Sequence, residues 1–255
     1  MTFPRFYYSD QINVGESIEL PHGATHHAAN VLRLEKGDKI TLFNGKGGEF
    51  LAFIKCISKA AILVSIEKFI IVERESPLQI TLAQSICTNI KMDLIIRKAV
   101  ELGVNNIQPI LAKRCLVKLS GKRELKRVQH WQQIVISACE QCGRNRVPEV
   151  LSPVILSSWL SRQGAMQKEL NNESTEKLYF MLSPASKMGL HDFSKNLSVT
   201  ELALLVGPEG GFTSDEDAAA LTVGFSSLRL GSRTLRTESA ALAAIAALQT
   251  IWGDY

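Results

Sequence analysis

The spacing of apolar and polar positions changes character along the chain. Residues 39–43 and 49–57 are apolar runs with partial alternation, the period-two pattern of strands packed on one face. Asn44-Gly45-Lys46-Gly47-Gly48 lies between them and reads as a glycine-dense hairpin connection. Residues 61–71 are a third run of strand type. Residues 21–34 suit a short helix, with Ala28, Val31 and Leu32 on one face. Up to about residue 72 the chain therefore reads as mainly β. The charged stretch 72–76, closed by Pro77, has the composition of an interdomain linker.

Beyond Pro77 strands and helices alternate. Strands are expected at 78–83, 107–111, 178–182, 202–206 and 226–230. Helices are expected at 89–102, 123–142, 154–169, 213–221 and 238–252, with a polar loop at 171–176. Met92, Ile95, Ile96, Ala99 and Val100 recur at helical spacing before Gly103, a C-cap signal. Thr213 and Glu216 form a capping box. This rhythm predicts a parallel sheet covered by helices. The boundaries follow: residues 1–72 a β domain, 73–77 a linker, 78–255 an α/β domain. Ala240 to Leu248 leave the last helix almost no polar face, so it is buried within the monomer or also packs across a subunit interface.

Composition narrows the class. In 255 residues, 45% hydrophobic and 21% charged, a mostly disordered chain is excluded. No apolar run approaches the ~20 residues of a membrane span, and the first residues lack a secretory pattern. The five cysteines are too scattered for a disulfide framework. A cytoplasmic protein with reduced thiols and no bound metal is expected. The formal charge of +4 is unevenly spread: balanced over residues 1–76, net positive by seven over 77–150, net negative by three over 151–255. Lys113, Arg114, Lys118, Lys122, Arg123, Lys126 and Arg127 face only Glu124 in their stretch, a local excess that suits a polyanion or an ordinary solvated helix face.

Three segments carry candidate chemistry. An apolar strand runs into Gly207-Pro208-Glu209-Gly210-Gly211-Phe212 and then the Thr213 cap. Ligands of open parallel sheets sit at such carboxyl ends, and glycine lets backbone approach them closely. The spacing matches neither the dinucleotide fingerprint nor a phosphate loop with Gly-Lys-Ser/Thr. Leu230-Gly231, then Leu235-Arg236-Thr237-Glu238, place Arg236 and Glu238 at the head of the last helix, where anions are favoured. Glu140-Gln141-Cys142-Gly143-Arg144 closes the long helix. Cys139 and Cys142 lack the further ligands of a zinc site.

Together these segments resemble the ribosomal RNA small subunit methyltransferase E family of the SPOUT superfamily. The likeness extends to Lys91-Met92, the run 98–104, Pro4-Arg5-Phe6, His27, Val31-Leu32-Arg33, Gly37-Asp38 and Asn44-Gly45, and so covers essentially the whole chain. It implies a PUA-like β-barrel domain followed by an α/β domain with a parallel sheet and a deep trefoil knot. It implies a homodimer, S-adenosylmethionine as cofactor, and methylation of N3 of uridine 1498 in 16S rRNA of the small ribosomal subunit. The cofactor-binding residues it implies are Leu182, Ser183, Val206, Gly207, Pro208, Glu209, Gly210, Gly211, Leu230, Gly231, Leu235, Arg236, Thr237, Glu238 and Ala240. Ser183 replaces the His that relatives often carry before this proline, and Lys113 to Val117 replace an Arg-Ser-Val-type run. Candidates for anion stabilisation are Arg236 and Arg144, and for the general base Glu140. Arg5, Arg33, Lys91, Lys113 and Arg114 are candidate phosphate contacts. A ribosome-assembly factor without turnover, or a related methyltransferase acting on another RNA nucleotide, are the alternatives.

Overall fold

The computed structural model describes residues 3–58, 61–117, 119–170, 176–193 and 197–255. Lys118 and all but the last residue of the expected 171–176 loop lie outside them. Two units divide the chain: Met1–Glu75 with Ile136–Val147, and Ser76–Val135 with Pro148–Tyr255. The insertion of residues 136–147 into the first unit has no local sequence signal.

The first unit holds β1 (Arg5–Tyr7), β2 (Ser17–Glu19), β3 (Lys39–Phe43), β4 (Glu49–Ile57) and β5 (Ile62–Ile70), in the sheet order β1-β3-β4-β5-β2. Only β1 and β3 run parallel. Phe6, Ile40, Leu42, Phe50, Ile54, Ile62 and Val64 make its core. Gly45, Gly47 and Gly48 all take positive φ in the β3–β4 connection, where any other residue would be strained. The expected helix at 21–34 is shorter: α1 (His22–His26) runs into a wider turn at His27–Val31, with Leu32 N–H donating to His27 O. Arg33 then stops it in the left-handed region, at φ 53°.

The second unit is built on parallel strands throughout. They are β6 (Gln79–Ser85), β7 (Asn106–Leu111), β8 (Glu149–Val150), β9 (Val154–Ile155), β10 (Glu176–Leu182), β11 (Val199–Val206) and β12 (Ser226–Leu228), ordered β12-β10-β11-β6-β7-β8 with β9 on β7. Leu202 to Val206 of β11 are buried, as a strand covered on both faces requires. The helices are α2 (Asn89–Glu101), α3 (Lys122–Cys142), α4 (Leu156–Leu170), α5 (Ser214–Thr222) and α6 (Thr237–Trp252). Thr213 caps α5, with Glu216 returning its carboxylate to the Thr213 N–H at 2.9 Å.

Helix α6 buries one stripe, Thr237, Ala241, Ala244, Ile245, Leu248 and Gln249, and packs on α2. Its polar Gln249 is buried with both ends of its amide matched: it accepts from the Ser76 hydroxyl at 2.7 Å and donates to Leu102 O at 2.9 Å. Ala243 is exposed, and Leu242, Ala246 and Ala247 are half-buried. An apolar face of α6 is thus left uncovered within the chain.

Candidate functional site

Three connections leave the carboxyl ends of β10, β11 and β12 and line one cavity of about 680 Å³. Its size is that of a small-molecule site, and its position is where parallel sheets bind ligands. The first connection gives Leu182, Ser183, Pro184 and Ala185; Ser183 N–H donates to Leu228 O at 2.9 Å. The second gives Val206 to Phe212. The third gives Leu230, Leu235, Arg236, Thr237 and Ala240. Of the residues expected to bind the cofactor, Gly231 and Glu238 do not line the cavity and the rest do. Arg233 and Thr234 of the third connection line it too, and Asp217 lines it without having been expected.

The glycine loop is held from two sides. From below, the Thr237 hydroxyl donates to Gly207 O at 2.8 Å and accepts from the Gln84 amide at 3.1 Å. Gln84 is wholly buried at the end of β6 and has no sequence signal, because an amide in a strand carries no motif. From outside, one Arg114 nitrogen donates to Gly210 O at 2.9 Å and Phe212 O at 3.1 Å. Gly211 takes φ +66°, and a β-carbon there would meet only open space, so its backbone conformation is what requires glycine.

The charges of the cavity are paired in part. The Lys91 ammonium lies 3.1 Å from Glu209 and 3.7 Å from Glu238. Burial alone would raise the Glu209 carboxyl, but its own backbone N–H and then Lys91 outweigh this and hold it below the usual value. The hydrogen bond to Glu209 raises Lys91 in return. Cys87 is buried beside these groups. Desolvation, then the Glu209 charge, pushes its thiol up to about 12, which keeps it from acting as a nucleophile. Burial, then Glu216, raises Asp217.

The expected RNA contacts differ in how far they are engaged by neighbouring groups. Lys91 and Arg114 are engaged with the cavity loops. In the first unit Arg5 is pinned: 2.5 Å from Glu49, donating to Asn145 Oδ1 at 2.7 Å and Arg144 O at 3.2 Å, and stacked over Phe43. Arg144 is buried and clasps Glu75 with two nitrogens, one at 2.9 Å from Oε1. A guanidinium so desolvated and so closely paired is held firmly within the first unit. Lys113 donates its backbone N–H to Glu216 at 2.7 Å, while its exposed ammonium meets Asp215. Arg33 is exposed. Glu140 accepts the Tyr7 N–H at 2.9 Å, and burial raises its carboxyl despite that bond.

Among the described residues no group of three or more His, Cys, Asp or Glu side chains is placed to hold a metal ion, and no helix is long and apolar enough to cross a membrane.

A family described as an RNA methyltransferase domain matches residues 74–249, and an RNA methyltransferase PUA domain matches residues 22–67. Fold and sequence thus define an RNA methyltransferase with a PUA domain. The ribosomal RNA small subunit methyltransferase E of Buchnera aphidicola, subspecies Schizaphis graminum, is 37% identical over 98% of this chain and 97% of its own. A methyltransferase E of Neisseria gonorrhoeae solved bound to S-adenosyl methionine is 40% identical, with a TM-score of 0.86 over 99% of both chains. A methyltransferase of Legionella pneumophila solved with bound SAM is 38% identical, with a TM-score of 0.91 over 100% of both chains. The chain belongs to the ribosomal RNA small subunit methyltransferase E family.

Proposed function

We propose that the protein transfers a methyl group from S-adenosylmethionine to N3 of one uridine, position 1498, in 16S rRNA of the small ribosomal subunit. The observation that carries this reading is the convergence of three chain segments on one cavity at the carboxyl ends of parallel strands. Its support is the 38% and 40% identity, along the whole chain, to proteins solved with that cofactor.

The residues present fit such a group. Leu182, Val206, Leu228, Leu230 and Leu235 offer apolar walls, and the glycine loop offers bare backbone. Leu182, Ser183, the 206–211 loop, Leu230, Leu235, Thr237 and Ala240 would hold the cofactor. When bound, it supplies an electrophilic methyl group on a sulfonium sulfur.

The rest of the chemistry falls to the chain. Uracil N3 carries a proton and is a poor nucleophile until that proton leaves. Arg236, a cavity residue at the head of α6, stabilises the negative charge that develops on the ring. The proton passes to solvent or to Glu140, which does not line the cavity and accepts the Tyr7 N–H within the first unit. Arg144 holds the segment that follows Glu140 through its pair with Glu75. Lys113 and Arg33 are exposed cations suited to RNA phosphates, which position RNA without reading its sequence. A homodimer formed through the uncovered apolar face of α6, a trefoil knot in the second unit and action in the cytoplasm belong to the same reading.

Purified protein given methyl-labelled S-adenosylmethionine is expected to label unmethylated 16S rRNA or small subunits. Cofactor binding by calorimetry with no label transferred to either substrate would sink the enzyme reading and leave an RNA-binding factor.

A further inference from the structure

The first two turns of α3 carry cations that make no ion pair among the described residues. Lys122, Arg123 and Lys126 are exposed and Arg127 is half-buried. Among the described residues none of the four makes an ion pair, although Lys113, Lys91 and Lys98 of the same unit do. At about 100° per residue the four positions span about 140° of the helix surface, and their mean direction lies about 130° from that of buried Trp131 and Val135. The cations therefore point away from the core. His130 ends the same face, 3.0 Å from Asp93 of α2.

Local electrostatics does not favour this arrangement. A helix N-terminus prefers acidic side chains, and α5 of this chain follows the preference with Asp215, Glu216 and Asp217 in its first turn. Helix α3 has only Glu124 there, amid four basic residues. Lys122 and Arg123 face like-signed partial charge in the free protein. A polyanion laid on this turn would relieve both repulsions, since it would meet the cations and the positive helix end together.

We propose that Lys122, Arg123, Lys126 and Arg127 form a track for the phosphate backbone of the RNA substrate; this rests on the RNA methyltransferase reading above. The four positions extend about 8 Å along the helix. That is about the span of two neighbouring phosphates of one RNA strand. The face reads no sequence. It supplies a share of the salt-dependent RNA affinity, while the residues at the cavity select the nucleotide.

The test is binding of an unmethylated 16S rRNA transcript, titrated between about 50 and 200 mM salt. The comparison is between the wild type and a variant carrying K122Q, R123Q, K126Q and R127Q. The variant is expected to bind roughly ten- to a hundredfold more weakly at low salt. Its plot of log affinity against log salt is expected to be shallower by about two, near 0.9 for each phosphate no longer neutralised. Affinity for S-adenosylmethionine is the control for folding and is expected to stay unchanged. A second variant, R123K with R127K, keeps the charges and is expected to keep the slope. Equal slopes and affinities for the wild type and the four-fold variant would overturn the proposal. If the wild type never methylates the transcript but the variant still binds RNA more weakly, the surface stands and the enzyme reading falls.

Discussion

Arg144 and Arg123 are the same residue type, twenty-one positions apart, and their surroundings differ completely. In the first unit Arg144 is buried against Glu75, and the half-buried Arg5 pairs with Glu49 and donates to Asn145. On α3 Lys122, Arg123 and Lys126 are exposed and Arg127 half-buried, and none makes an ion pair among the described residues. Sequence counts both groups as positive charge. Only the second is charge offered to something else. The lesson extends to the cavity, where Arg114 is spent on holding the glycine loop, Lys91 lines the space while paired with Glu209, and Arg236 lines it too.

The largest effect that would break this comparison is expected at the buried pair. Arg144→Ala leaves Glu75 buried without its partner, and about 3–5 kcal/mol of stability should be lost in the first unit. Hydrogen exchange of β3 and β4 would read this. A loss below about 1 kcal/mol, the range of exposed pairs, would return Arg144 to the pool of available cations.

Next comes the support beneath the glycine loop. Thr237→Val removes the donor to Gly207 O and the acceptor for Gln84, leaving buried polar groups unmatched at about 1–3 kcal/mol. Affinity for S-adenosylmethionine in calorimetry should fall roughly tenfold or more, with helix content retained. Unchanged affinity would mean that the head of α6 does not hold the loop.

A smaller change separates two neighbouring glycines. Gly211→Ala forces a side chain into the left-handed region and should cost about 1–2 kcal/mol. Gly210→Ala places a β-carbon 3.4 Å from the Arg114 side chain with no such strain, and should cost less. The order of the two cofactor affinities checks the loop conformation; the reverse order would contradict it.

The smallest effect is a slope. Burial raises the Glu140 carboxyl above its ordinary 4.5, so the folded state binds this proton more tightly than the unfolded chain. The contribution to stability is full below the unfolded value and is lost as pH rises through the folded one. Glu140→Gln should flatten stability against pH above 4.5 and, if Glu140 is the base, abolish methyl transfer. A variant with the wild-type slope would place the raised carboxyl elsewhere.

Much of the second unit was legible. Helix α2 announced itself by five apolar positions at helical spacing, and α5 by its capping box. Segments far apart in sequence were assigned to one site from the family pattern, and most of those residues line one cavity. What stayed hidden has physical causes. Strands β1, β2, β8 and β9 are two or three residues long, too short to show a period, and exist through their partners. Gln84 is identified by burial and a bond 153 positions away, which no local pattern encodes. The ties of Lys91 to Glu209 and of Arg5 to Asn145 span 118 and 140 positions. Residues like these look free until the fold brings their partners to them.

The most direct measurement is nucleoside mass spectrometry of 16S rRNA from unmodified small subunits incubated with the protein and S-adenosylmethionine. 3-Methyluridine, mapped to one position and absent when either component is omitted, is the expected result. No new methylated nucleoside, or a methyl on a ribose oxygen or another base, would contradict the assignment.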